Sequence, residues 1–126
     1  MARRMILLTL VLASGPTLLA ACGPLPPQAP PAQAKKLDAS LSDISTACGE
    51  MYQMSAFGPP PTSQVRPIAD SASFEARRLA SVYAKNPAWI YQGETIRLIV
   101  AQAISKLRNC GLRGTADLLA TTTHHH

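Results

Sequence analysis

Histidine is missing from the body of this 126-residue chain; all three copies stand at its end, as His124, His125 and His126. Without an imidazole to activate a hydroxyl or a thiol, no Ser-His-Asp or Cys-His arrangement can be drawn. No glycine-rich phosphate loop is present, and no pair of carboxylates with a credible pocket is visible. Charged residues make up only 15% of the chain and form no dense basic block, which argues against a nucleic-acid partner. Runs that alternate with period two are few and there is no internal repeat, so strands and solenoids have little support. These absences point away from an enzyme, and no cofactor and no metal site is expected.

What is present begins at the N-terminus. Arg3 and Arg4 form a short positive head, Met5 to Leu12 is apolar apart from Thr9, and Gly15-Pro16 interrupts the run before Leu18-Leu19. A spanning helix needs roughly 20 uninterrupted apolar residues, so the pattern is that of a secretory signal. Leu19-Ala20-Ala21-Cys22 closely resembles the lipobox of bacterial lipoproteins. The resemblance covers the first 22 residues. It implies that Cys22 receives a diacylglyceryl group on sulfur, that residues 1–21 are removed, and that acyl chains such as palmitate hold the protein to membrane lipid. The location implied is extracytoplasmic, on a bacterial outer membrane or the outer face of a plasma membrane. The alternative is an ordinary signal cut after the alanines, which leaves Cys22 as a free thiol. Without Arg3 and Arg4 the 12 basic residues become 10 against seven acidic ones, a balance of +3 that suits anionic headgroups.

Residues 22–35 follow as a proline-rich linker. Pro24, Pro26, Pro27, Pro30 and Pro31 forbid a helix and favour extended polyproline II, about 3.1 Å per residue, so a tether on the order of 40 Å is expected. Residues 36–121 form the one small domain, and residues 122–126 a disordered tail.

The domain carries three apolar stripes of helical period. The first is Leu37, Leu41, Ile44, Cys48 and Met51; the second Ile68, Ala72, Ala76, Leu79 and Tyr83; the third Ile96, Val100, Ala103, Leu107 and Cys110. Gly58-Pro59-Pro60-Pro61 ends the first helix, and Pro67 is expected in the opening turn of the second. Asn86-Pro87 suggests a cap and a first helical residue, with Ala88–Gln92 a separate turn and Gly93 a kink. Gly111 marks the close of the third helix, and Ala116 to Ala120 adds one more turn. The fold class expected is all-α: a three-helix up-down-up bundle on a proline-rich tether.

With Cys22 lipidated, Cys48 and Cys110 remain, each on the stripe of its own helix, and a disulfide between them would staple the bundle. Met51 and Met54 beside Cys48 admit copper(I), but their place on the stripe fits core filling better. The terminal histidines on a frayed end would hold metal weakly and are left out of function. Trp89, Ile90 and Tyr91 form the expected partner-binding site. They are the densest aromatic turn, beside the tether, with Lys35, Lys36 and Lys85 around it. The alternative is that Trp89 caps the end of the bundle as a core residue. The function expected is that of a membrane-anchored envelope lipoprotein acting as a binding or scaffold module, with an envelope or membrane protein as partner. An accessory subunit of a larger membrane complex is one alternative; a small metal carrier or enzyme of the envelope is another.

Overall fold

The computed structural model describes residues 27–124, so Cys22 and the signal segment lie outside the described residues. Helix α1 spans Pro31–Ser55 and α2 spans Thr62–Lys85. A two-stranded hairpin follows, β1 at Ile90–Tyr91 and β2 at Glu94–Thr95, and then α3 at Ile96–Asn109 and α4 at Arg113–His124. The described residues are mostly helical and form four helices where three stripes predicted three.

Helix α1 begins earlier than expected. Pro30 is extended (φ −57°, ψ 153°) and its carbonyl accepts the first helical bond from Ala34, 2.8 Å. Pro31 occupies the first helical position, where a proline lacks only a hydrogen bond no helix makes there. Residues 31–35, expected as tether, are therefore the first turn of the helix. Helix α2 likewise starts five residues before Pro67, behind Pro61 at φ −62° and ψ 144°. Pro67 thus sits inside the helix rather than in its opening turn. Having no N–H, it leaves the Ser63 carbonyl without its helical partner.

Asn86 closes α2 instead of capping α3: its N–H reaches the Val82 carbonyl, and its Oδ1 accepts from Ala88 N at 3.0 Å. The chain then turns through the hairpin, where Gln92 (φ 51°) and Gly93 (φ 82°) both adopt positive φ. Two such residues between paired strands make the tight turn whose twist matches a hairpin. Thr95 caps α3 by accepting Leu98 N at 3.2 Å. Gly111, at φ 93°, closes it: Gly111 N bonds the Arg108 carbonyl and Leu112 N the Leu107 carbonyl. Those paired bonds satisfy the last carbonyls of the helix, and the flanking Leu107 and Leu112 are both buried.

Helix α4 replaces both the single extra turn and the disordered tail, at least to His124. Thr122 and Thr123 bond back to the Leu118, Leu119 and Ala120 carbonyls, and Thr123 is buried. It packs on both α2 and α3, while α1 packs chiefly on α2. Alanines at 47, 72, 76, 80, 103 and 116 line the core and keep the helices close around Leu37, Ile44, Leu79, Ile96, Leu107 and Leu119.

The Cys48–Cys110 disulfide is formed, with Cα atoms 5.3 Å apart, and joins α1 to the end of α3. Helix length explains the register. Cys48 lies 17 residues beyond Pro31 and Cys110 lies 14 beyond Ile96, about 25 and 21 Å of helix.

Candidate functional site

Trp89, Ile90 and Tyr91 stand at the end of the domain from which the chain leaves toward Cys22. The contact is direct. Ala29 N donates to the Ile90 carbonyl at 2.8 Å and Ile90 N donates to the Pro27 carbonyl at 2.9 Å, so residues 27–29 lie parallel to β1. Trp89 turns its carbonyl the other way, to Ile96 N at 2.9 Å. The alternation follows from strand geometry, in which successive carbonyls point to opposite edges. Ile90 is the middle of three short extended segments, with Thr95 across from it on the far side.

All three residues are half-buried, with Trp89 and Tyr91 packed partly against the core. Lys35, Lys36 and Lys85 are exposed near this end, joined by Arg97 and by Leu98, whose side chain is 47% exposed. Arg97 and Leu98 do not stand out in the sequence because both lie off the apolar stripe of the third helix.

A groove of about 270 Å³ opens beside the hairpin, between α1 and α3. Leu41, Ile44, Ile99 and Ala103 make its apolar floor, and Tyr91, Glu94, Gln102 and Lys106 its polar rim. Lys106 Nζ donates to Ser45 Oγ at 3.1 Å, which draws the ammonium toward α1. No nucleophile with a base beside it lines this groove.

A second groove, about 300 Å³, lies between α1 and α2 with Asp43, Glu50, Pro67 and Ile68 among its walls. Asp43 also meets Glu75, a carboxylate pair that was not visible in the sequence because 32 residues separate its members. Glu75 is buried. Burial pushes its carboxyl above the ordinary carboxylate range, the hydrogen bond with Asp43 pushes the same way, and Arg78 opposes both. Arg78 Nη1 donates to Glu75 Oε1 at 2.9 Å while its guanidinium lies 5.9 Å from the centre of the Phe74 ring.

The raised value makes Glu75 a pH-dependent element of stability. A carboxyl that holds its proton more tightly when folded adds stability below its unfolded value, about 4.3, and loses it as pH rises through the folded one. Melting temperature is therefore expected to fall as pH rises above about 4.3 through that window. Glu75→Gln, which mimics the protonated acid, should flatten that part of the curve. An unchanged slope in the variant would assign the pH dependence to other groups.

Cys48 and Cys110 are crosslinked, so neither thiol is available to a metal or a substrate. Met51 is buried against the same corner, where a β-carbon on Gly111 would lie 3.5 Å from its Cε. Among the described residues no three His, Cys, Asp or Glu side chains gather closely enough to hold a metal ion, and no helix is long and apolar enough to cross a membrane. Comparison of the chain with known families, characterised proteins and solved structures finds no match.

Proposed function

We propose that the protein is a lipid-anchored envelope lipoprotein whose helical domain is a binding or scaffold module held close to the membrane. The lipobox-like Leu19-Ala20-Ala21-Cys22 supplies the anchor, and the docking of residues 27–29 on β1 is the observation that gives it mechanical meaning. Five chain steps separate Cys22 from Pro27, at most about 17 Å of extended backbone. The leash is thus far shorter than the roughly 40 Å that a free proline-rich tether would have spanned. In this reading the half-buried Trp89, Ile90 and Tyr91 face the membrane side, with Lys35, Lys36 and Lys85 placed to meet headgroups or a membrane-protein partner. One acyl chain holds a protein only marginally, so the anchor carries two or more.

Cys22→Ser is expected to move the protein into the soluble fraction or to leave an uncleaved precursor. Mass spectrometry that finds an unmodified Cys22 in the mature chain would rule out the anchor. In the wild-type background, Trp89→Ala should weaken co-purification with native membranes more than it lowers the melting temperature. If association is lost only in step with unfolding, Trp89 is a core residue and not a contact.

A further inference from the structure

The end of the domain farthest from the hairpin has a composition that folding does not explain. From Met51 to Val65, fifteen residues pass without a charged side chain. The core takes only part of them: Met51 is buried and Met54 and Val65 pack partly against it, but no residue after Met51 is fully buried until Ala72. Helix α3 ends beside Cys48, tied there by the disulfide, and the start of α4 meets α2 at Ser73, whose Oγ lies 3.1 Å from Thr115 Oγ1. The last turns of α1 and the first of α2 therefore project as a helical hairpin beyond the other two helices.

Its apex is apolar and open. Phe57 is 98% exposed and Tyr52 57% exposed. Gly58, at φ 118°, turns the chain directly after Phe57. Pro59 and Pro60 each precede a proline, which restricts them to extended backbone, and Pro61 stands at φ −62°, ψ 144°. Pro59–Pro61 is thus one stiff turn of polyproline II, a shape with little entropy left to lose on binding. An uncovered phenylalanine on such a turn contributes nothing to stability and invites association.

We infer that this tip is the docking element for a protein partner, one that offers an aromatic-lined apolar groove to Phe57 and the Pro59–Pro61 turn. The flanking charge selects protein over lipid. The first charged residues below the tip are Glu50, Arg66 and Asp70, two acids against one base, a shoulder that does not attract anionic headgroups and that a basic groove rim would complement. Stacked aromatics around polyproline and a single deep aromatic anchor are both established modes of protein recognition. The inference rests on the reading of the domain as a binding module and is independent of the acyl anchor.

The test places a photoreactive phenylalanine analogue at position 57 of the full-length chain in living cells, with Ser105 on the exposed face of α3 as control. One protein adduct is expected from position 57 and not from position 105. The purified adduct partner should then bind the full-length chain by calorimetry, and Phe57→Ser should weaken that affinity about tenfold or more with the melting temperature unchanged. Pro59→Ala should weaken it in the same direction. Vesicles of phosphatidylcholine, with and without phosphatidylglycerol, should leave the tip unaffected. Crosslinking to phospholipid or to a second copy of the chain, no adduct at all, or undiminished binding by Phe57→Ser would each overturn the proposal. Because Cys22→Ser reads only the anchor, the two failures are distinguishable.

Discussion

Reducing the Cys48–Cys110 bridge is expected to lower the melting temperature by roughly 15–30 °C. The bridge spans 62 residues of sequence, half of the chain. On the chain-entropy account a crosslink of that span removes about 4 kcal/mol of freedom from the unfolded state, and each kcal/mol is worth about 4–8 °C in a domain of this size. Local geometry adds to the effect, since both cysteines are buried and reduction leaves two thiols at the corner where Met51 packs under Gly111. Melting with and without reductant measures the shift. Equal transitions, or full alkylation of both cysteines in the native unreduced protein, would show that the staple is not present in solution.

Leu119→Ala is expected to cost about 2–5 kcal/mol, the usual range for removing a leucine from a packed core. Leu119 is fully buried, although it lies in the last 12-residue helix of the chain. Helix α4 closes the face between α2 and α3, so the cavity left by the substitution has walls on three helices and little room to collapse. The denaturation midpoint in urea reports the loss. A change below about 0.5 kcal/mol would mean that α4 frays at no cost to the rest.

The contrast between α4 and the earlier helices shows what the sequence could carry. Leu37, Ile44, Leu79 and Leu107 recur with the helical period, and the structure buries all four. The pairing of Cys48 with Cys110 followed from the same stripes. Helix α4 was harder to see because its end is Thr121-Thr122-Thr123, residues with weak helix propensity. Their hydroxyls return to the backbone carbonyls one turn back, a stabilisation that only the folded helix supplies.

Prolines misled in both directions. Pro31 resembles a breaker but starts a helix, and Pro67 looks like a start but sits within one, because α2 begins earlier behind Pro61. The hairpin had too few paired residues to leave an alternating trace, and its turn is Gln92-Gly93 rather than the commoner Asn-Gly. At the candidate site, Trp89 to Tyr91 stood out by composition alone. Their partner segment, residues 27–29, did not, since backbone hydrogen bonds leave no side-chain signature. Phe57 was passed over for the opposite reason: its full exposure is a property of the fold, and a phenylalanine in sequence looks like core.

The crosslink has a further consequence when the chain is under tension. A pull on the N-terminal segment is met first by the two hydrogen bonds that hold Pro27 and Ala29 to Ile90. If those give way, α1 can unravel only as far as Cys48. From there the load crosses to Cys110 and passes out through α4, and the residues between the two cysteines, 62 chain steps in all, carry none of it. Those residues amount to about 200–220 Å of contour that stretching cannot release. An oxidised domain pulled by its ends should therefore yield a short extension and then stiffen, while a reduced one pays out its full length.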